Sequence, residues 1–564
     1  MLLNYKAVEV TRYKKVIISL PNSGSDKFIK LTTKYSQRRI DLDEFAAPNL
    51  CSNESSVPTA ESIGLYICEP SSRLASAYLD ACKKDAFKQT FEEFYSDTMR
   101  IEESIAFTRK VDTDEVAFIG CEDLVVKSLL LSQAWLKSQL SKIPYGELFQ
   151  VVPATIVSDK DKENIRTLYA KEYELYNDSK MIFSSHWNEY QAKNKLSVAP
   201  NKTVVIHLGP PKTGTSAIQA WLSRNSDQLL EKKIYYPPHG ADKNGVSSGN
   251  FSDLISFDTE NRGYFDYNKT KQLIDELNSS DYQTLLLSSE HFYYYLLWLF
   301  TFLDDARFIF YIRHPIAVLE SGYHQGVKRH MKTEKFATPT SISFSNLKVI
   351  SRISTEINAN VEYRFFDEKL FDGGSLHSDF SACFSDFISA PTNERRLNTQ
   401  YSAGALILMR MVNGFGDKFL RTELDFWLQR DSETQPNFSL IPPDKIDNLQ
   451  IKLMQEADKL KQCTPNINGT KLDTLLEQYK HLNYYTNDES TEDFNRVLLK
   501  LRQSSPLLVS SILSQCRTAD DIENFELLKK GFGVKGSSLK YIQIANWFLK
   551  FRYGLKKLIS RYFQ

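Results

Sequence analysis

A short segment near the middle of the chain has the residue types of a phosphate-binding loop. Residues Leu208 to Ser216 read Leu-Gly-Pro-Pro-Lys-Thr-Gly-Thr-Ser and lie between the apolar run 203–207 and a helical pattern that begins at 217. In a strand, loop and helix of this kind, the first N–H groups of the helix have no intrahelical partners and point at an anion. Lys212 and the helix dipole add positive potential. The segment therefore predicts a site for a phosphate-like group.

The spacing of the glycines and the lysine in this loop indicates which kind of phosphate-binding loop it resembles. The loop of nucleotide hydrolases needs Gly, four residues and then Gly-Lys-Ser/Thr. Gly209 and Gly214 keep that frame, but Thr215 stands where the lysine is required, and the lysine comes two residues before the second glycine. The displaced lysine argues against a nucleotide kinase.

A second motif follows about a hundred residues later. The apolar run 307–312 leads into Arg313-His314-Pro315, and Ser321 comes eight positions after Arg313. Arginine offers a planar, charge-assisted fork and serine a hydroxyl donor, which suits a second phosphate. An ordinary buried strand followed by a surface arginine is the alternative interpretation.

Together the two motifs resemble those of sulfotransferases that use 3′-phosphoadenosine 5′-phosphosulfate (PAPS) as sulfuryl donor, over roughly residues 200–420. The resemblance is closest to the bacterial and carbohydrate types, and it implies PAPS as co-substrate and no metal. In that family the loop holds the 5′-phosphosulfate, while the arginine and the serine bind the 3′-phosphate. The donor-binding residues that it implies are Pro211, Lys212, Thr213, Gly214, Thr215, Ser216, Arg313 and Ser321.

Sulfuryl transfer needs positive charge at the leaving phosphate and a base for the acceptor's proton. Lys212 and the amides at the start of the helix would stabilise the leaving group by electrostatics. Glu290 is the first candidate for the base and His291 the second, because both come just after the apolar run 284–287. Glu290 could instead be a first-turn carboxylate that stabilises a helix N-terminus. His324, on the helix that carries Ser321, could touch the acceptor.

Apolar strand patterns alternate with helical patterns around these motifs and predict an α/β domain. The fold class expected is P-loop-type, three-layer α/β/α, with a central parallel sheet, two related domains and a helical C-terminal region. Parallel strands place Lys212, Glu290 and Arg313 at one sheet edge. The predicted strands are 203–209, 233–236, 283–289, 307–312 and 361–366, and the predicted helices are 215–231, 268–279, 292–303, 315–330 and 344–357.

The N-terminal part resembles a shortened copy of the same pattern. Runs beginning at Val16, Gly64 and Phe118 parallel those beginning at Val204, Phe310 and Tyr363. At the positions of the two cationic ligands the first copy has Asn22 and Cys68, and each lost bond to a charged group costs about 1.5–3 kcal/mol. An unrelated α/β domain with the same strand-loop-helix order is the alternative. The domains expected are 1–190 (degenerate, sulfotransferase-like), 191–201 (linker), 202–430 (catalytic), 431–530 (helical) and 531–564 (basic amphipathic tail).

Composition excludes some classes of function and leaves others open. The chain has 564 residues, 70 basic and 70 acidic, so no overall charge favours nucleic acid. Seven scattered cysteines and only a short apolar run at 16–20 predict a cytoplasmic protein. Basic and aromatic residues interleave over 539–563 and predict peripheral contact with the inner face of a membrane, or packing on the protein's own acidic surface. The acceptor expected is a glycan or glycolipid, with a non-catalytic nucleotide-binding or scaffold protein as the alternative function.

Overall fold

The structure is a computed structural model, and it describes most of the second half of the chain and parts of the first. The described residues are 6–10, 15–19, 38–39, 62–67, 69–82, 89–98, 100–102, 116–121, 157–240, 247–257, 263–385, 387–390, 401–429, 438–464, 466–477, 483–484, 492–518 and 522–533. The chain forms two compact units. The first unit takes residues 1–208, 222–310 and 346–362, and the second takes 209–221, 311–345 and 363–564.

Fourteen strands are described, and ten of them form two five-stranded sheets. The strands are β1 Lys6–Val10, β2 Lys15–Ser19, β3 Arg38–Arg39, β4 Ser62–Ile67, β5 Val116–Cys121, β6 Thr203–Leu208, β7 Ile234–Tyr235, β8 Ile255–Phe257, β9 Gly263–Phe265, β10 Thr284–Ser289, β11 Arg307–Ile312, β12 Asn360–Phe365, β13 Phe438–Ser439 and β14 Asn483–Tyr484. The N-terminal sheet has the order β3-β1-β2-β4-β5 and the central sheet the order β12-β11-β6-β10-β7. The short pairs β8–β9 and β13–β14 stand apart from both sheets.

The central sheet is parallel, as the sequence predicts, so the chain has an α/β fold. Its three inner strands, β11, β6 and β10, are buried from their second residue onward. Continuous apolar runs of this kind belong in the middle of a parallel sheet. β12 alternates between buried and partly exposed residues, which fits its place at the edge. In the register of the sheet, Leu208 pairs with Ser289 and with Phe310.

The described helices are numbered in chain order. They are α1 Pro70–Cys82, α2 Phe91–Tyr95, α3 Asp159–Leu168, α4 Ala170–Asn194, α5 Thr215–Arg224, α6 Ser226–Glu231, α7 Phe251–Leu254, α8 Tyr267–Ser279, α9 Leu296–Phe302, α10 Pro315–Arg329, α11 Ser345–Ile357, α12 Leu376–Ser381, α13 Ala403–Asn413, α14 Lys418–Leu428, α15 Pro443–Cys463, α16 Gly469–Glu477, α17 Glu492–Ser504, α18 Pro506–Thr518 and α19 Ile522–Gly531. The helix predicted over 215–231 is two helices, with the break at Asn225. The start of the helix predicted over 292–303 is a 3₁₀ helix, His291–Tyr295, that leads into α9.

The C-terminal part of the second unit is a helical bundle around α13. All eleven residues of α13 are buried. Its apolar side chains form one core with residues of α14, α17 and α18, and with Tyr323 and Val327 of α10. The bundle thus holds α10 along the face that carries Tyr323 and Val327.

The N-terminal sheet repeats part of the order of the central sheet. β2, β4 and β5 are neighbours and run parallel, as β6, β11 and β12 are neighbours in the central sheet. These are the strands that the sequence pairs as counterparts. The sheets differ on the other side, where β2 pairs antiparallel with β1 whereas β6 pairs parallel with β10.

The segment predicted as a linker begins inside a helix, because α4 continues to Asn194. The residues after it are held in the first unit. Lys195 Nζ lies 3.1 and 3.0 Å from carboxylate oxygens of Asp304 and Asp305, and the Leu196 amide donates to the Phe302 carbonyl. The predicted domain boundaries themselves stay a prediction.

Several segments singled out in the sequence lie outside the described residues. They are Asn22 and the loop around it, Cys68 and the tail from 534 to 564. Among the helices that the structure describes, none is both long and apolar enough to cross a bilayer.

Candidate anion-binding site

The loop between β6 and α5 has the backbone of an anion site. Lys212 and Gly214 both have left-handed backbone, with φ of 76° and 78°. The first intrahelical bonds of α5 are donated by Ala217 and Ile218 to the Gly214 carbonyl, so the amides of Thr215 and Ser216 precede them. Positive φ at a lysine is uncommon and costs about 1–2 kcal/mol, and strain of this kind concentrates at functional sites.

Both glycines of the loop are required by close packing. A Cβ on Gly209 would lie 2.1 Å from Thr215 Oγ1, and a Cβ on Gly214 would lie 2.5 Å from Leu376 and 2.6 Å from Phe366. The Thr213 hydroxyl donates to the Pro210 carbonyl at 2.8 Å and closes the turn that contains Pro211. The loop is therefore a fixed structure with little room for other residues.

Thr215, the first residue of α5, holds a hydroxyl without a partner. The residue is 5% exposed, and its Oγ1 is buried with no hydrogen bond to any described residue. Leaving a buried hydroxyl unpaired costs about 1–3 kcal/mol. A donor group aimed into the loop without a partner is what an anion-binding site needs before its ligand arrives.

Arg313 contacts the loop directly. Its Nη1 donates to the Lys212 carbonyl at 2.6 Å, and its guanidinium carbon lies 5.1 Å from the centre of the Phe366 ring. The hydrogen bond offsets part of the cost of the left-handed backbone at Lys212. The aromatic ring stabilises the planar guanidinium that lies over it. The two motifs that the sequence pairs are thereby in contact.

Helix α10 starts immediately after Arg313 and fixes the direction of the residues that follow. Pro315 is its first residue, and the buried His314 caps it by accepting a hydrogen bond from the Ile316 amide through Nδ1. Burial lowers the pKa of His314 to about 3, so it is neutral, as a cap must be if it is to accept. Ser321 lies two turns further on, half-buried.

His324 lies on the same side of α10 as Ser321 and is electrostatically coupled to the loop. Burial, together with the charges of Lys212 and Lys328, lowers its pKa to about 4. Its Nδ1 is buried and has no hydrogen-bond partner among the described residues. The imidazole is thus neutral at pH 7, between two lysines.

Glu290 and His291 follow β10 in the first unit. Their side chains are 45% and 39% exposed, and His291 Nε2 lies 4.0 Å from Glu290 Oε1. Ser289, through its hydroxyl, accepts from the His291 amide, while Glu290 makes no capping hydrogen bond. The Ser289 hydroxyl thus takes the capping bond, and both roles of Glu290, the base and the first-turn carboxylate, stay predictions. The ring centroid of His291 lies 4.8 Å from that of Phe251.

His207 is a core residue, as its place in a strand suggests. It is fully buried in β6, and its Nδ1 lies 2.9 Å from the Ser288 hydroxyl. Burial lowers its pKa to about 3. A neutral histidine that pairs with a serine between two adjacent strands contributes to packing.

The helix after β4 in the N-terminal sheet has a carboxylate of the chain itself at its N-terminus. Glu69 precedes Pro70 as His314 precedes Pro315, and its carboxylate accepts from the Ser72 amide at 2.8 Å and from the Ser71 hydroxyl at 2.6 Å. Tyr173 donates to the same carboxylate. The N-terminus of α1 is therefore occupied by a side chain of the protein itself.

An adjacent ion pair completes this arrangement. Arg73 donates through Nε and Nη2 to the two carboxylate oxygens of Glu172, at 2.6 and 2.7 Å, and Glu172 is fully buried. The arginine near the start of α1 is thus committed to an internal partner.

Two residues of the site could not be assigned from the motifs. Phe366, under the Arg313 guanidinium, follows β12, and only the strand order shows that β12 lies beside β11. Lys328 belongs to neither motif, but it follows His324 by four residues on α10, so the helical period places its charge near the imidazole. Within the described residues no group of three His, Cys, Asp or Glu side chains is arranged to hold a metal ion.

Comparison with known proteins adds little to this description. No family model matches the chain, and no solved structure gives a significant match. Among curated proteins, a DNA ligase of Helicobacter pylori (strain G27) is 33% identical over 75 residues, which is 13% of this chain and 11% of the ligase. So short a match covers far less than two thirds of either protein and shows no family. The geometry of the site carries the functional argument.

Proposed function

We propose that the chain is a PAPS-dependent sulfotransferase. The observation that carries the proposal is the hydrogen bond from Arg313 to the Lys212 carbonyl, because it joins the two motifs that the donor's two phosphate groups would need. The glycine-restricted loop, the unpartnered Thr215 hydroxyl and the free start of α5 support a bound anion. On this proposal the fold is of the P-loop type, with helices on both faces of the central sheet.

Each residue of the site has a chemical role in the proposed reaction. Lys212 and the amides of Thr215 and Ser216 stabilise the 5′-phosphate as the S–O bond to it breaks. Arg313 and Ser321 hold the 3′-phosphate and fix the donor in line for attack. The acceptor's oxygen forms the new bond to sulfur and gives its proton to a base, for which Glu290 is the first candidate and His291 the second.

The N-terminal sheet belongs to this proposal as a related domain that does not bind donor. The shared order of three parallel strands supports the relationship. Glu69 occupies the N-terminus of α1, and a carboxylate there repels a phosphate as well as displacing it. The domain then serves in docking or in acceptor binding.

The proposed function includes an acceptor, a cellular location and a membrane contact. A glycan or glycolipid is the acceptor, the protein acts in the cytoplasm, and the tail at 539–563 brings it to the inner face of the membrane. No nucleic acid is involved. The second candidate function, a non-catalytic nucleotide-binding or scaffold protein, is favoured by the Glu69 arrangement in the first half.

Titration with 3′-phosphoadenosine 5′-phosphate (PAP) tests the donor site. Isothermal calorimetry with wild type, K212A, R313A and R313K should show binding to wild type, and a loss in R313A of about 10- to 150-fold for each bond to a charged group. R313K should lie in between, because it keeps the charge without the fork. R307A is the matched control, since Arg307 pairs with Glu362 away from the loop, and should bind as wild type does.

The outcomes separate the candidate functions. Failure of wild type to bind PAP, or equal binding of ATP, would overturn the sulfotransferase proposal. If PAP binds, labelled PAPS tested against a panel of glycans asks for transfer, and binding without transfer to any of them favours the scaffold function. With an active acceptor, replacing the base lowers kcat by about 10²–10⁴ and leaves PAP affinity unchanged. Comparing E290Q with H291Q identifies it.

A further inference from the structure

We propose that His324 is a third cationic residue of this anion site, and that it joins the site by accepting a proton when the phosphate group binds. The inference rests on the proposed function, since it assigns a further residue to the donor site. The role of His324 depends on the charge of the bound phosphate, so it can be tested without an acceptor.

The position of His324 on α10 is the first support. Ser321, His324 and Lys328 are spaced by three and four residues, so they form one stripe of the helix. The residues between them, Tyr323 and Val327, belong to the bundle core and hold the helix against α13. The stripe that contains His324 is therefore the one that also presents the serine of the second motif.

The polar atoms of His324 are the second support. Its Nδ1 is buried and unpartnered among the described residues, although a buried ring nitrogen normally has a partner. Its ring packs 5.6 Å from that of Phe438 and 6.5 Å from that of Tyr323, so two aromatic residues hold the imidazole in place. An unpaired nitrogen in a fixed ring, within the electrostatic influence of Lys212, indicates a ligand that supplies the missing partner.

Burial and the charges around His324 together keep it neutral without a ligand. Lys212 approaches from the loop and Lys328 from the same helix, and both disfavour a third positive charge. The carboxylate of Glu320, one turn earlier on α10, accepts instead from the Ser439 hydroxyl and the Leu440 amide, both at 2.7 Å. Phe438 and Tyr323 contribute no charge. The local field is therefore positive until an anion enters.

A bound phosphate reverses this field. The negative charge next to Lys212 favours the imidazolium, so the pKa of His324 rises from about 4 toward or above the ordinary value. The proton comes from solvent and stays on the ring, where it adds a third positive charge close to the leaving phosphate. Between the free and bound pKa values, binding therefore weakens about tenfold for each unit of rising pH.

Calorimetry of PAP binding in buffers of different ionisation enthalpy measures this proton uptake. Because phosphate monoesters also titrate near pH 6, the comparison is between wild type and H324Q, with H324N as a second variant in case one does not fold. H330Q is the matched control, since His330 is exposed at the C-terminal end of α10. At pH 6, wild type and H330Q should take up roughly 0.5–1 proton more than H324Q, for a bound pKa of about 6–7.

The outcomes distinguish this inference from the proposed function. No PAP binding to wild type would remove both. Binding with the same proton uptake and pH dependence in wild type, H324Q and H324N would overturn the role of His324 and leave the donor site intact. Nuclear magnetic resonance of ring-labelled histidines in wild type gives a second measurement. The pKa of one histidine, measured from its signal, should rise by at least about one unit on addition of PAP. If no histidine shows such a rise, the inference is contradicted.

Discussion

Substituting alanine for Gly214 tests how closely the loop is packed. Gly374, in the same unit, provides the control. The new Cβ would lie 2.5 Å from Leu376 and 2.6 Å from Phe366, and the backbone has a φ of 78°. Left-handed backbone costs alanine about 1–2 kcal/mol, and overpacking adds about 1–3 kcal/mol. Gly374 has the same φ of 78° and nothing within 4 Å of its Cβ position. G374A should therefore show the backbone cost alone.

Urea unfolding of the two variants gives the comparison. Alanine also lowers the entropy of the unfolded chain, but by the same amount in both, so this effect cancels. We expect G214A to be less stable than G374A by about 1–3 kcal/mol. G214A should also bind PAP more weakly, because a displaced Phe366 no longer supports Arg313. Equal stability of the two variants would refute the close packing of the loop against Phe366 and Leu376.

Three further predictions concern other buried groups. T215V removes an unpartnered hydroxyl, so it should raise the unfolding free energy by up to about 1–3 kcal/mol and yet weaken PAP binding; a loss of stability would contradict this. His314 is neutral in the folded protein and titrates near 6.5 in the unfolded chain. The free energy of unfolding of wild type should therefore fall by about 2 kcal/mol through this residue between pH 6.5 and 5, because the unfolded state gains a proton. H314N should not show this loss when urea unfolding is measured at both pH values. R73A leaves the Glu172 carboxylate buried and unpaired and should cost about 3–5 kcal/mol, whereas R73M/E172M should recover most of it; equal losses in the two would contradict the pairing.

The long apolar strands of the central sheet were predictable because burial on both faces leaves a continuous run. β10 and β11 begin and end within one residue of their predicted bounds. The short strands β8 and β9 have three residues each and no such run, and they form only because they pair with each other. Asn225 interrupts the helix predicted over 215–231 through its own backbone conformation, which a hydrophobic pattern does not specify.

Some features of the site were also predictable from local sequence, whereas others depend on tertiary packing. The loop and the position of Arg313 follow from short-range spacing, since each comes directly after a strand end. The support of Arg313 by Phe366 depends on which strand is the neighbour of β11. The neutral state of His324 depends on the burial of its ring and on the approach of Lys212. Both are products of packing, so no spacing in the sequence could indicate them.

If the proposed function holds, the Glu69 carboxylate at the start of α1 predicts how many nucleotides one chain binds. A chain with two sheets of partly matching strand order would be expected to take up two equivalents of a doubly phosphorylated nucleotide, one for each half. The N-terminus of α1, which follows β4 as α10 follows β11, already has a carboxylate of the chain as its counter-anion. A saturating titration should therefore count one equivalent of PAP per chain.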